Sequence, residues 1–172
     1  MGSEMCIRDS LVIGASANST SLTNANAGAS YVLFGRSRPF PGTLNLSSFD
    51  GVDGLAIFGA GRLDRSGVSV ASAGDFNNDG VGDLVIGAVG DRNSATNQTG
   101  RSYIVYGDSA IGLTHPISLA QLDSVSGLAL LGEFVGEFTG ERNASADLNN
   151  DGVSDVIVSA PRPVVVLSLI HI

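Results

Sequence analysis

Self-similarity at a period of 72 or 73 residues constrains this chain more than any other feature. The run Leu11-Val12-Ile13-Gly14-Ala15 recurs unchanged as Leu84-Val85-Ile86-Gly87-Ala88, and in altered form as Val156-Ile157-Val158-Ser159-Ala160. Tyr31-Val32-Leu33-Phe34-Gly35 returns as Tyr103-Ile104-Val105-Tyr106-Gly107, and the stretch from Leu44 to Gly59 aligns without gaps on Ile117 to Gly132. A unit repeated at this spacing is one supersecondary element that buries its faces against copies of itself.

Each period holds four short apolar runs bounded by Gly, Asn, Asp or Ser, at Val68–Ala73, Leu84–Ala88, Ser102–Gly107 and Leu128–Gly132. None keeps a helical period over a helix's length, and their β-branched and aromatic content favours strands. Twenty-three glycines and the absence of tryptophan fit many turns between short strands. The expected class is all-β, and four antiparallel strands per repeat make one blade of a β-propeller. The chain then reads as an incomplete propeller of about two and a third blades: partial over 11–59, full over 60–132, partial over 133–166. Residues 1–10 and 167–172 match nothing in the repeat and read as a non-native leader and tail. Register supports this, since Asp precedes the strand at Leu84 and at Val156, whereas Ser10 precedes Leu11.

The formal net charge is -8, yet six of the seventeen acids lie in two nine-residue windows. The first is Asp75-Phe76-Asn77-Asn78-Asp79-Gly80-Val81-Gly82-Asp83, and the second Asp147-Leu148-Asn149-Asn150-Asp151-Gly152-Val153-Ser154-Asp155. Carboxylates packed this tightly repel one another unless a cation sits between them. Asp75, Asn77, Asp79 and Asp83 offer side-chain oxygens at positions 1, 3, 5 and 9, and Val81 a main-chain carbonyl at position 7. Asp147, Asn149, Asp151, Val153 and Asp155 repeat the set. An all-oxygen, flexible ligand set suits Ca²⁺ better than Zn²⁺ or strictly octahedral Mg²⁺. Two such ions are expected, in a structural role, closing hairpins between strands. Glycine at position 6 tolerates the positive φ of the wrap. An EF-hand would need an acid at position 12, where Ile86 and Val158 stand. The plain alternative is that Asn-Asp and Asp-Gly are hairpin turn residues without metal; retention of every ligand type in both copies favours the ion.

These loops, with Phe58-Gly59 and Leu131-Gly132, and with Gly87-Ala88-Val89 and Ser159-Ala160-Pro161, resemble the FG-GAP repeat of integrin α-subunit-like propellers. The resemblance runs from Leu11 to about Val166. It departs at Leu131, where the family has Phe, and at Val89 and Ser159 in the Gly-Ala-Pro element. It implies a calcium-binding module of an extracellular or cell-surface protein, serving adhesion through a protein or glycan ligand held by propeller loops. The alternative is the non-catalytic propeller appendage of a secreted hydrolase or lyase.

Other classes fit poorly. Nine scattered basic residues form no nucleic-acid patch, the lone Cys6 lies in the leader, and no apolar run is long enough for a membrane span. No hydrolase elbow, zinc-protease motif or phosphate loop occurs, so no enzyme activity is expected. Glu133, Glu137 and Glu141 read as surface, and the polar stretches 14–30 and 89–101 as connecting linkers, with partner docking the alternative. Sequons at Asn18, Asn45, Asn97 and Asn143 are acceptors only on a eukaryotic secretory route, and their Ser/Thr-rich setting favours chance matches.

Overall fold

The computed structural model describes residues 10–19, 25–90, 99–107 and 116–161. The expected leader and tail, apart from Ser10, fall outside them. Among the described residues ten strands form three sheets. The first sheet contains β1 (Leu11–Ala15), β2 (Ala29–Leu33) and β3 (Gly54–Phe58), antiparallel in that order. The second contains β4 (Ser66–Gly74), β5 (Asp83–Ala88), β6 (Arg101–Val105) and β8 (Gly127–Leu131), also antiparallel. The third is the hairpin of β9 (Asn143–Ala146) and β10 (Asp155–Val158). Each apolar run of the sequence is a strand, and the class is all-β.

One strand has no counterpart in the earlier repeat, where the aligned residues Leu44–Asn45 are not strand. Ile117–Ser118 forms β7, which adds in parallel to β3 as the fourth strand of the first sheet. A later repeat therefore closes the outer edge of an earlier sheet.

Alternation along each strand decides what packs where. Val32, Leu55 and Ile57 of the first sheet meet Leu84, Ile86 and Tyr103 of the second in one core. Val85 and Ile104, on the opposite face of the second sheet, meet Val156 and Val158 of the third in another. The register is constant: Val32 and Ile104 stand 72 residues apart, as do Leu84 and Val156. Each sheet thus presents one face forward and the opposite face back. The backward face of the first sheet carries Ala29, Tyr31 and Ala56, with Ile13, Phe49 and Phe58 packed alongside.

The sheets come into main-chain contact at paired glycines. A Cβ on Gly14 would lie 2.1 Å from the Gly67 carbonyl oxygen, and one on Gly87 would lie 1.8 Å from that of Gly140. These pairs are equivalent, 73 residues apart at both members. Gly42, by contrast, faces open space.

Gly87→Ala should therefore cost roughly 1–3 kcal/mol of stability in chemical denaturation, whereas Gly42→Ala should stay within about 0.5 kcal/mol of the parent. Equal stability of the two variants would contradict the close approach.

Candidate metal centre

Both acidic loops join the strands of a hairpin, β4 to β5 and β9 to β10, at the same end of their sheets. Their internal bonding is nearly superimposable. Asp75 accepts from the N–H groups of Asp79 and Gly80, both at 2.9 Å, and Asp147 accepts from Asp151 at 3.1 Å and Gly152 at 2.9 Å. Asn77 Oδ1 accepts from Asp79 N at 3.1 Å, and Asn149 Oδ1 from Asp151 N at 3.0 Å. Asp79 accepts from Val81 N at 2.7 Å and Asp151 from Val153 N at 2.8 Å. Each Asn side chain also donates to the position-5 carboxylate, at 2.7 and 2.9 Å.

This wrapping demands left-handed backbone at two places per loop. Asn78 and Asn150 have φ of 57° and 61°, and Gly80 and Gly152 of 89° and 90°. Asn and Gly are the residues that tolerate it. The chain is thereby curled so that main-chain N–H groups of the turn point at the side-chain oxygens of positions 1, 3 and 5.

Position 9 behaves differently in the two copies. Asp83 is fully buried; its Oδ2 accepts from Phe76 N at 2.8 Å and Asn77 N at 3.3 Å, and its Oδ1 from Gly107 N at 2.7 Å. Burial pushes the Asp83 carboxyl above the ordinary range, against the pull of those three N–H groups. Asp155 is only half-buried and accepts from Leu148 N at 2.8 Å. Asp151, fully at the surface, is held below the ordinary range by the Val153 N–H and the Asn149 side chain.

Among the described residues, no three His, Cys, Asp or Glu side chains converge closely enough as positioned to hold a metal ion. The acids of each loop are tied to main-chain amides, with Asn side chains and main-chain carbonyls making up the rest of the oxygen set. The fit to a hard cation rests on donor chemistry, an all-oxygen set repeated in both loops. A carboxylate carries about four lone-pair sites, so the amide bonds leave acceptor capacity on every acid.

The opposite end of the sheets carries a buried polar group that motif reading missed. Asp64, 2% exposed, lies in the segment from β3 to β4. It pairs with Arg101 Nε at 3.6 Å and accepts from the Tyr103 hydroxyl at 3.3 Å. Its neighbours Leu63 and Arg65 both have positive φ, 65° and 55°. The available signal was in the repeat: Asp64 aligns with Glu137, 73 residues on. Glu137 accepts from Glu133 N at 2.9 Å, as Asp64 accepts from Ala60 N. Glu137 therefore shapes its own loop instead of being plain surface, while Glu133 is exposed as expected.

Comparison with known proteins agrees with the motif reading. Residues 66–105, which span β4, the first acidic loop, β5 and β6, match the FG-GAP repeat. The chain contains an FG-GAP repeat. It is also similar to phosphatidylinositol-glycan-specific phospholipase D, with 43% identity over 97 residues to the protein of Rattus norvegicus and 40% over 97 to that of Homo sapiens. Each match covers 56% of this chain and 11% of the relative, so the chain spans about a tenth of these proteins' length.

Burial, reinforced by the Asp64 charge and opposed by Arg101, lifts the Tyr103 hydroxyl from 10.0 to about 12. A raised folded-state value means the neutral phenol stabilises the fold below the unfolded pKa of about 10, and that contribution is lost as pH rises toward the folded value. Absorbance titration at 295 nm should show one late-titrating tyrosine, absent in Tyr103→Phe. Ordinary titration of all tyrosines would contradict the burial.

Proposed function

We propose that this chain is a stretch of calcium-clipped β-propeller blades from an extracellular or cell-surface protein, non-catalytic in itself and serving interaction with a protein or glycan partner. The observation that carries the reading is the pair of acidic loops, which adopt one hydrogen-bond pattern twice at equivalent hairpins. Asp75, Asn77, Asp79, the Val81 carbonyl and Asp83 would hold one Ca²⁺. Asp147, Asn149, Asp151, the Val153 carbonyl and Asp155 would hold the second. The ions would neutralise clustered carboxylates and fix the hairpins; they supply no chemistry.

The propeller reading is supported by the constant forward-to-backward packing of successive sheets, which generates a ring when the rotation closes and an open array when it does not. In this reading the blades lie near 11–59, 60–132 and 133–166, with β7 of the second lending a strand to the first sheet; residues 162–166 fall outside the described residues. Partners would meet the end that carries the described connecting residues 16–19, 25–28, 59–65 and 132–140, opposite the ion loops.

The phospholipase D relatives favour a more specific variant of this reading, in which the blades are the appendage of a secreted hydrolase. The shared segment contains an FG-GAP repeat, and no nucleophile–base pair occurs among the motifs. The parent reading frame distinguishes the variants: a catalytic domain supports the appendage, further repeats with surface anchors the adhesion module. No helix among the described residues is long and apolar enough to cross a membrane.

Calorimetric titration should find two Ca²⁺ per chain, with Asp79→Ala losing one and Asp151→Ala the other. Each filled site should add about 2.7 kcal/mol of stability at a hundredfold excess of ion over Kd, removed by chelator. Absence of both binding heat and a chelator-dependent melting shift would falsify the ion assignment.

A further inference from the structure

The sequence offers four Asn-x-Ser/Thr sites, and the fold separates them. Asn143 is wedged between the second and third sheets: with its amide oriented to satisfy its surroundings, the nitrogen donates to Ser102 Oγ at 3.0 Å and the oxygen accepts from Gly87 N at 3.1 Å. A sugar on that nitrogen would displace the third sheet. Asn18 Nδ2 donates to the Tyr31 hydroxyl at 2.7 Å and is committed to the first sheet. Asn97 lies outside the described residues.

Asn45 alone among the described sites is presented for modification. It is exposed and caps the short 3-10 turn Leu46–Ser48, none of whose residues is buried. Its Oδ1 accepts from the Ser47 N–H at 3.1 Å and the Ser47 hydroxyl at 2.8 Å. The second hydroxyl, of Ser48, donates to the Asn45 carbonyl at 2.7 Å. These bonds fix the carboxamide by its oxygen and leave Nδ2 turned from the turn's donors, with no hydrogen bond to the described residues. The Ser47 hydroxyl, the third residue of the sequon, is already on the carboxamide it must accompany.

We propose that Asn45 is an N-glycan acceptor, a reading that rests on the extracellular setting proposed above. The donor is a lipid-diphosphate-linked oligosaccharide. Nδ2 attacks the anomeric carbon of its first sugar, a C–N bond forms as the C–O bond to phosphate breaks, the lipid diphosphate departs, and Nδ2 gives up one proton to base. The turn lies in the β2–β3 connection, at the same end as the acidic loops and opposite the end proposed to meet partners. A glycan there would leave both the sheet junctions and the partner-facing loops uncovered.

The test is to direct the full chain through a eukaryotic secretory pathway behind a supplied signal peptide and measure intact mass, in cells and medium, before and after enzymatic N-glycan release. The wild type should carry a releasable glycan; Asn45→Gln and Ser47→Ala should each lose one glycan's mass, and Ser47→Thr should keep it. An unglycosylated wild type, or Asn45→Gln with undiminished glycan mass, overturns the proposal. Because the signal is supplied, this result reports acceptor chemistry alone. Surface labelling of the native full-length protein tests the extracellular setting separately.

Discussion

Main-chain contact at paired glycines is the constraint on which the remaining structure depends. At Gly14 against Gly67, and again at Gly87 against Gly140, no side chain fits between one sheet and the next. Gly67 and Gly140 also take φ of 86° and 88°, which a side chain would resist. Each pair brings β4 or β9 against the preceding sheet, and this sets the depth at which Ile86 or Val158 reaches across. Wider spacing would open voids in both cores at once, and a core is sensitive to a single missing methylene.

The junctions share that contact but differ in their polar chemistry. At the second junction Asn143 bridges Ser102 and Gly87 N. At the first, the position 73 residues earlier is Val70, packed at the edge of the core, and the hydroxyls of Ser30 and Ser66 are buried without a partner. The first junction thus gains apolar area and leaves two hydroxyls unsatisfied, whereas the second forgoes apolar area for a closed hydrogen-bond set. Asp64 adds a further polar contact, joining the segment between β3 and β4 to β6. A buried ion pair contributes little net stability, because desolvation offsets attraction. Its effect is to fix the path of that crossing segment, whose flanking residues are held at unfavourable φ.

Strand positions were legible in the sequence because two independent signals coincide there, the apolar run and its recurrence at 72 or 73 residues. The hairpin loops were legible for a similar reason: Asp, Asn and Gly at fixed offsets encode both the turn and its donors. Three features were hidden. The pairing of β7 with β3 joins residues about 60 apart through only two positions, Ile117 and Ser118, too few to carry a pattern. Asp64 sits in a connection, where a single acid looks like solvated surface until Arg101 and Tyr103 are brought over it. The turn of Asp83 onto Gly107 N depends on where β6 ends, which spacing along the loop does not encode.

That last contact bears on how the two acidic loops differ despite equal sequence patterns. Asp83 Oδ1, at the start of β5, accepts from the N–H of Gly107 just past the end of β6, so the first loop is tied to the third strand of its own sheet. Asp155 has one amide partner, Leu148 N, and the described residues bring no third strand against its hairpin. The first loop is therefore held by its sheet as well as by its own turn. The second is held by its turn and by contact with the preceding sheet, where Ser154 lies against Gly74. Equal donor chemistry with unequal support would give the two proposed ion sites different preorganisation. The less a loop is ordered beforehand, the more of an ion's binding energy goes into ordering it.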